Sequence, residues 1–333
     1  MGSAVKYSLL CILFTQNSLY HLRSEAIAMK KMDFHVHISN DQTDVRKSIE
    51  YFEALSERNH LDAICIQSAV MSSNGLHPDC NEKALEIIKN HNNWYAFASL
   101  HHERDFVEQT KEYMDKGFRG IKMLEGKPTV YRNYGYGFEN PRFESFFDYA
   151  ERNAIPLLIH NNDPLIHWDM NKIPERALHK GWYYDSSFPS QEYFFEVLEA
   201  VLKRHPNLHA ALAHFGFYSD NIERAEYFME LCPNLFMDMT PAMIIYGQLS
   251  RTPEKTKQFL MKYQSRLLYG TDVSNCIEGE VRKMNDAKTK LMHAFFEGKD
   301  EKDIEGFKIR GINLPINVLE NLYFMNSIRF MGV

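Results

Sequence analysis

Two histidines separated by one residue, His35 and His37, carry the clearest chemistry in the sequence. They lie in the short apolar run Met32–Ile38, and residues i and i+2 of a β-strand point to the same face. Both imidazoles would therefore project together into whatever that face encloses. Each ring nitrogen then needs a partner, and the commonest strong partner is a metal ion. Because His-x-His also occurs by chance, the pair needs support from other ligands in the chain.

Three further titratable residues, His160, His214 and Asp272, stand directly after apolar runs. One histidine after a strand is more often a hydrogen-bonded structural residue. Four histidines and a carboxylate at such positions favour a metal site instead. Neutral imidazoles with one carboxylate suit Zn²⁺ best, ahead of Mn²⁺, Fe²⁺ and Co²⁺. Such an ion lowers the pKa of a bound water to about 7.

The elements that must position these residues alternate along the chain. Predicted strands are the apolar runs Asp33–Ile38, Asp62–Gln67, Trp94–Leu100, Phe118–Leu124, Pro156–Ile159, Leu208–Ala213, Leu235–Met239 and Arg266–Tyr269. Helical periodicity fills Asp44–Arg58, Cys80–His91, Arg104–Lys116, Pro141–Asn153, Ser190–Arg204, Asn221–Leu231 and Pro253–Tyr263, and much of Glu280–Phe296 and Pro315–Phe330. This alternation predicts parallel βαβ units, and eight strands are the number that closes a (β/α)₈ barrel.

A doubly wound open sheet is the competing architecture. It usually carries a glycine-rich phosphate loop after its first strand, where this chain has Ser39-Asn-Asp-Gln-Thr43. The sequence therefore predicts an α/β fold, a (β/α)₈ TIM-like barrel with extended βα loops and a C-terminal helix. In such barrels the chemistry gathers at the C-terminal ends of the strands. The candidate ligands stand at those ends.

Composition narrows the class of function. The net charge is −6 and the sequence pI is about 6.2, with no basic stripe, which argues against a nucleic-acid partner. The sequence has no uncharged apolar run that is long enough to predict a membrane span. Five scattered cysteines without a C-x-x-C pair indicate reduced thiols in a cytoplasmic protein. We expect a small-molecule substrate, with a homodimer as the candidate assembly.

Residues 1–30 are expected to be an extension of uncertain role, and residues 31–333 a single barrel domain. The apolar run Tyr7–Phe14 has the outline of a signal peptide, but the segment that follows it is long and charged. The other interpretations are an extension that folding does not need, or an upstream start codon with Met29 or Met32 as the original first residue.

Six stretches, in this order, carry a family resemblance: Met32–Ile38, Gly117–Met123, Ile155–His160, Ala211–Gly216, Leu267–Asp272 and Leu322–Gly332. They resemble the amidohydrolase superfamily, specifically its amidohydrolase-related (amidohydrolase 2) branch of metal-dependent TIM-barrel hydrolases and decarboxylases. The resemblance implies that one divalent metal ion is bound by His35, His37, His160 and Asp272. Asp272 would also accept a proton from the bound water. His214 would bind a second metal in two-metal members, or act as a substrate-polarising acid or base in one-metal members.

The role of Lys122 bears on the number of metal ions. Two-metal members of the family bridge their ions with a carbamylated lysine or a glutamate on the fourth strand. Lys122 lies on the predicted fourth strand and Glu125 just beyond it. The competing interpretation is a lining residue that pairs with a carboxylate or binds a substrate carboxylate. Since similar runs occur in one-metal relatives, we expect one ion. Lys122 and His214 remain candidates for a second metal or for the substrate.

The loops after the fourth and fifth predicted strands are long and rich in aromatic residues. Loops of this length in compact domains are usually functional or disordered, and their aromatic content argues against disorder. Most of these aromatics are expected to pack on the barrel rim. The candidate substrate-binding exceptions are Arg132, Asp163, His167 and Trp168. Such a composition suits a small cyclic or aromatic, anionic substrate.

Three functions follow from this pattern. The first is a metal-dependent hydrolase that cleaves a C–N or C–O bond of an amide, ester or lactone. The second is a non-oxidative decarboxylase of an aromatic carboxylic acid. Decarboxylase relatives often have an acidic residue at the position of His35, which favours hydrolysis here. The third is a catalytically silent metal-binding protein on the same fold.

Overall fold

The computed structural model describes residues 29–39, 44–69, 71–72, 75–76, 79–242, 244–275 and 279–333. The sequence interpretations of residues 1–28 fall outside this part of the chain. Residues Lys31 to Val333 form one compact unit. Among the described helices, none has the length and apolar character needed to cross a membrane.

Eight parallel strands form the centre of this unit. They are β1 (Met32–His37), β2 (Ala63–Gln67), β3 (Trp94–Phe97), β4 (Ile121–Gly126), β5 (Leu157–Asn161), β6 (Ala210–Leu212), β7 (Leu235–Asp238) and β8 (Leu267–Leu268). Each pairs with its neighbour in chain order, and a single bridge between Ala98 and Ile121 joins β3 to β4. The predicted (β/α)₈ barrel is confirmed.

The seam between β8 and β1 closes the barrel with few hydrogen bonds. The amide of Phe34 donates to the carbonyl of Tyr269 (2.9 Å), and the amide of Asp272 donates to the carbonyl of His35 (2.7 Å). The short strand Val273–Ser274 then pairs with the end of β1. This seam lies beside the first candidate ligands.

Helices cover the outside of the barrel. They are α1 (Val45–Asn59), α2 (Cys80–Ile88), α3 (Phe106–Asp115), α4 (Arg142–Arg152), α5 (Gln191–Arg204), α6 (Ile222–Leu231), α7 (Pro253–Lys262) and α8 (Gly279–Phe296). Side chains that accept from backbone amides start four of them, at Asp44, Asp105, Ser190 and Asn221. The helices match the predicted segments to within a few residues, because amphipathic periodicity and caps are both local signals.

Several short elements lie between and after the barrel units. Helical turns occupy Pro128–Tyr134, Leu165–Trp168, Glu175–His179, Ala213–Phe217, Ile244–Leu249 and Gln264–Arg266. Two hairpins pair Met71–Ser72 with Gly75–Leu76 and Glu301–Ile304 with Phe307–Arg310. The C-terminal segment is helical through Ile316–Glu320, the π-turn Asn321–Met325 and Asn326–Met331.

The C-terminal helical segment packs its last turn against the barrel core. The ring of Phe330 lies 5.5 Å from that of Phe34 and 4.9 Å from that of Phe236, centroid to centroid. His209, just before β6, stacks on Phe330 at 4.5 Å and its Nε2 donates to the Phe330 carbonyl (2.8 Å). The segment therefore covers apolar side chains near the beginnings of the strands.

Candidate metal centre

The candidate ligands converge at the C-terminal ends of the barrel strands. His35 and His37 lie at the end of β1, and His160 is the second-last residue of β5. His214 follows β6, and Asp272 follows β8 on the seam with β1. The rule that placed them, a titratable residue after an apolar run, therefore leads to one region of the barrel.

The closest group consists of His35, His37 and Asp272, whose ligand atoms lie within 4.8 Å of one another. The two Nε2 atoms are 2.9 Å apart. Asp272 Oδ1 lies 3.3 Å from His37 Nε2 and 3.9 Å from His35 Nε2. Ligand atoms about 2.1 Å from a tetrahedral metal are separated by roughly 3.4 Å, so this group has the dimensions of a coordination shell.

Partners outside the group hold the two rings in a ligating orientation. His37 Nδ1 donates to the carbonyl of Gln67 (2.9 Å), which leaves a lone pair on its Nε2. His35 Nδ1 lies 2.6 Å from Asp238 Oδ2, the carboxylate–histidine arrangement that usually supports a metal ligand. With both Nδ1 atoms donating, two lone pairs meet at 2.9 Å, and a cation between them would relieve their repulsion. The donor set therefore fits a divalent metal.

Asp238 and its neighbour Thr240 were not singled out from the sequence. Asp238 is fully buried at the end of β7, and its two oxygens accept from the amide and the hydroxyl of Thr240 (both 3.1 Å). The signal was present, because Asp238 is the charged residue in the apolar run Leu235–Met239. Applying the strand-end rule to β7 would have found it.

Gly270 provides the space in which these side chains meet. A Cβ at this position would lie 2.6 Å from His35 Cβ and 2.8 Å from Thr240 Cγ2. Both distances are shorter than real Cβ contacts allow. A side chain here would displace His35 from Asp238, which explains a glycine between β8 and Asp272.

His214 sits in a strained turn at the same end of the barrel. It has φ 56° and ψ 43°, and Phe215 and Phe217 also have positive φ. Left-handed backbone at a residue other than glycine costs about 1–3 kcal/mol and clusters at functional sites. The Thr240 hydroxyl accepts from the His214 amide and lies 3.1 Å from its Nδ1. The His214 ring lies 5.7 Å from the His35 ring, so it flanks the close group.

His160 is the sequence-derived ligand that stands outside the close group. Its ring lies 5.0 Å from that of His214, and its Nε2 is 3.4 Å from Asp163 Oδ1. Asp163 also accepts two bonds from Lys127 (2.8 and 2.6 Å) and one from the hydroxyl of Tyr184. With Nε2 directed at Asp163, the remaining Nδ1 is the atom that His160 could offer to an ion.

Lys122 is buried at the base of the group, with its Nζ 3.3 Å from His35 Nε2. Burial lowers its pKa to about 8, against the opposing effect of Asp238 and Asp272. Glu125, its neighbour on β4, points elsewhere: it pairs with His102 Nε2 at 3.0 Å. His102 is itself buried.

The protonation states suit metal binding. Burial lowers the pKa of His35 and His214 well below the usual range, and that of His160 to about 4. All three imidazoles are therefore neutral at pH 7, which is the ligating form. Burial alone would raise the pKa of Asp272, but Lys288, 3.1 Å from its Oδ2, and His37 hold it well below the usual range. Lys288, on α8, had no sequence signal.

Of the four predicted substrate residues, only Asp163 contacts a candidate ligand. The guanidinium of Arg132 is exposed and stacks over Phe188 at 4.5 Å. The Trp168 indole donates to the carbonyl of Pro189 (3.0 Å), so it ties its own loop together. His167 is buried, and its ring lies 6.0 Å from that of Trp182.

Comparisons with known proteins agree with the barrel fold. The family model described as amidohydrolase matches residues 33–307. An uncharacterised TIM-barrel protein, Bb4693 from Bordetella bronchiseptica, superposes with a TM-score of 0.61 at 13% identity, covering 91% of this chain and 99% of that one. No curated protein matches the sequence.

Two further structures with the same fold have different reactions in their names. One is a dihydroxybenzoic acid decarboxylase from Polaromonas sp. JS666 with bound manganese and 2-nitroresorcinol: TM-score 0.55, 10% identity, 91% of this chain and 97% of that one. The other is dihydroorotase from Campylobacter jejuni: TM-score 0.53, 14% identity, 91% and 83%. At such identities the likeness concerns the fold alone. Together with the family match over most of its length, it shows that this chain belongs to the amidohydrolase family.

Proposed function

We propose that the protein is a metal-dependent hydrolase that cleaves a C–N or C–O bond in a small anionic molecule. The observation that carries this proposal is the group of His35, His37 and Asp272, held within 4.8 Å of one another at the mouth of the barrel. Two imidazoles and a carboxylate are donors that zinc prefers. Manganese, which is bound in the decarboxylase neighbour, is the second candidate.

In this proposal His35, His37, His160 and Asp272 hold one ion, with Nδ1 as the donor atom of His160. A bound divalent metal supplies a water of lowered pKa and polarises the carbonyl that is attacked. Asp272 is partly exposed and ionised, so it can accept the proton that leaves the water and pass it to the departing group. His214, buried 5.7 Å from the His35 ring, can act on the substrate as an acid or base through Nε2, the ring nitrogen that Thr240 does not contact.

Lys122 decides between one and two ions. A carbamylated Lys122 would bridge two metals, and burial that lowers its pKa to about 8 favours the free amine that carbamylation needs. Its Nζ lies 3.3 Å from His35 Nε2, however, and is surrounded by the buried carboxylate of Asp238 and by Asp272. Burial raises the pKa of Asp238 to about 8, and an ammonium on Lys122 favours the ionised form of this carboxylate, so we propose one ion and an unmodified Lys122.

Decarboxylation of an aromatic acid is the second candidate, favoured by the fold shared with the dihydroxybenzoic acid decarboxylase. The residue that argues against it is His35, because an imidazole backed by Asp238 replaces the acidic side chain that decarboxylase relatives often have there. A silent metal-binding protein would need no strained His214 turn beside the ligands. Its φ of 56° favours an active site.

The test is a panel of lactones, amides and hydroxybenzoates with the metal-loaded protein, followed by measurement of released acid and of CO₂. We expect acid without CO₂, and loss of more than 100-fold in kcat/KM for His37→Ala. His91→Ala is the matched control, because this histidine packs on Trp94 away from the centre. Release of CO₂ as the main product would contradict hydrolysis, and unchanged metal content in His35→Ala/His37→Ala would contradict the site.

A further inference from the structure

A second cluster of metal-ligand residues lies outside the barrel, between α4 and the turn that leads from α5 into β6. It consists of Glu144, Asp148 and Glu151 on α4, and of His205 directly after α5. The three acids are spaced i, i+4 and i+7, so they share one face of the helix. His205 precedes β6 and therefore lies at the end of the barrel opposite to the candidate centre, where residues usually serve stability.

His205 is buried without a hydrogen-bond partner for one of its nitrogens. Its side chain is only 3% exposed, and one ring face packs against Phe147 at 5.7 Å. The buried Nε2 meets no hydrogen-bonding atom. Leaving a buried polar atom unsatisfied is destabilising, so this atom points to a ligand that completes the site.

The distances around the ring are too long for hydrogen bonds. His205 Nε2 lies 3.7 Å from Glu144 Oε1, and Nδ1 lies 3.5 Å from Asp148 Oδ1 and 3.6 Å from Glu151 Oε2. Hydrogen bonds of this type span about 2.7–3.2 Å, whereas two ligands of one tetrahedral metal are roughly 3.4 Å apart. One donor atom each from His205, Glu144 and Asp148 lies within 4.8 Å of the others. The candidate centre has ligand separations of the same range.

The charges of the cluster also call for a cation. Among the described residues, Arg204 is the basic side chain that pairs with one of these acids, Glu144 (3.4 Å). The other two carboxylates have no lysine or arginine partner in this part of the chain. Glu144 and Asp148 are also like charges at i, i+4, which destabilises a helix. A dication would remove both penalties.

The remaining acid, Glu151, supports the ring from its other side. Its Oε1 accepts from the amide of Asn207 (2.7 Å), which fixes it next to the His205 turn. Its Oε2 then faces the Nδ1 of His205 and favours a proton there. That tautomer leaves the lone pair on the unpartnered Nε2. Glu144 and Asp148 are about half exposed and can rotate onto an ion at little cost.

We propose that Glu144, Asp148 and His205 Nε2 form a second, structural binding site for a transition-metal dication such as Zn²⁺, which fastens α4 to the α5–β6 turn. The site is independent of the proposed hydrolase centre, with which it shares no residue. Imidazole with carboxylates is a zinc-type donor set, and water would complete the tetrahedron.

The test compares the zinc content of the full-length protein with that of Glu144→Gln/Asp148→Asn after loading with ZnSO₄ and dialysis. These exposed positions leave the buried His205 and the fold in place. We expect one zinc fewer per chain in the variant, at least a tenfold weaker zinc affinity at this site in competition with a chelator, and unchanged catalytic activity. Glu175→Gln is the matched control, because Glu175 stands 3.8 Å from His179 in an exposed i, i+4 pair. It should bind zinc like the unaltered protein.

The test of the outer site is the difference in zinc content between the unaltered protein and the double variant, whatever the total content of each. Two zinc ions against one supports both sites, and one against none supports the outer site while it contradicts the metal centre of the proposed hydrolase. Equal zinc content in both proteins overturns the outer site. That result would mean that the acids and His205 hold α4 to the turn without an ion. His205→Gln, which retains a side chain of similar reach, should also lose the ion.

Discussion

At the scale of single residues, the candidate centre depends on buried side chains that hold its histidines. Asp238 holds the His35 ring through a hydrogen bond with its Nδ1. The hydroxyl of Thr240 contacts both Asp238 and His214. Such partners set ring orientation and tautomer, and their loss usually lowers metal affinity 10–100-fold. The centre should therefore be as sensitive to these two residues as to its ligands.

Replacing Asp238 with asparagine tests this directly. The amide keeps the size of the side chain, but it cannot carry the negative charge that stabilises a metal-bound His35. We expect the metal dissociation constant of Asp238→Asn to rise about 10–100-fold in competition with a chelator. Glu125→Gln is the control, since it alters another buried carboxylate–histidine pair (3.0 Å) beside the mouth. Equal metal affinity in the two variants would refute the supporting role of Asp238.

Thr240 makes a different prediction, because it acts on His214. If its hydroxyl donates to Asp238, it accepts from His214 Nδ1–H, and the Nε2 of His214 is left free for the reaction (contacts of 3.1 Å). Thr240→Val should therefore lower kcat about 10-fold or more, with KM changed less than about 2-fold. Thr240→Ser keeps the hydroxyl and should recover most of kcat. A valine variant with normal kcat would show that His214 needs no such partner.

At the scale of elements, local sequence signals were sufficient for the barrel and insufficient for its loops. Strand and helix positions follow from periodicity and caps, which depend on neighbouring residues only. The pairing of Lys127 with Asp163 depends on how the loop after β5 folds back, and no local pattern encodes that. The same holds for His205, whose acids come from the register between two helices. Asp238, in contrast, could be predicted as a site residue, because it is a charged residue at the end of its own apolar strand.

The C-terminal helical segment should contribute strongly to stability through one residue. Phe330 is buried against the rings of Phe34, Phe236 and His209. Phe330→Ala leaves a cavity in this cluster and should lower the free energy of unfolding by about 3–5 kcal/mol. Met325→Ala, in the same segment but 49% exposed, should change it by less than about 0.5 kcal/mol. Urea unfolding measures both, and similar losses would mean that the segment is not part of the core.

At the scale of the whole molecule, the proposed ion would lie at the seam between β8 and β1, where the barrel closes. His35 and His37 come from β1 and Asp272 from the chain after β8, so one metal would hold together two strands that share few backbone hydrogen bonds. β8 itself spans only Leu267–Leu268. Metal binding and closure of the barrel are therefore expected to be coupled.

Metal removal should consequently loosen this seam more than the rest of the barrel. In the Glu144→Gln/Asp148→Asn background, which lacks the outer site, we expect chelation to lower the thermal midpoint, since an ion at 1,000 times its dissociation constant stabilises by about 4 kcal/mol. Hydrogen exchange should accelerate at the seam amides of Phe34 and Asp272, and stay slow where β2 pairs with β3. Uniform acceleration would indicate global destabilisation, and no change at the seam would place the ion elsewhere. Restored protection after zinc is added back would connect the ion to the closure of the barrel.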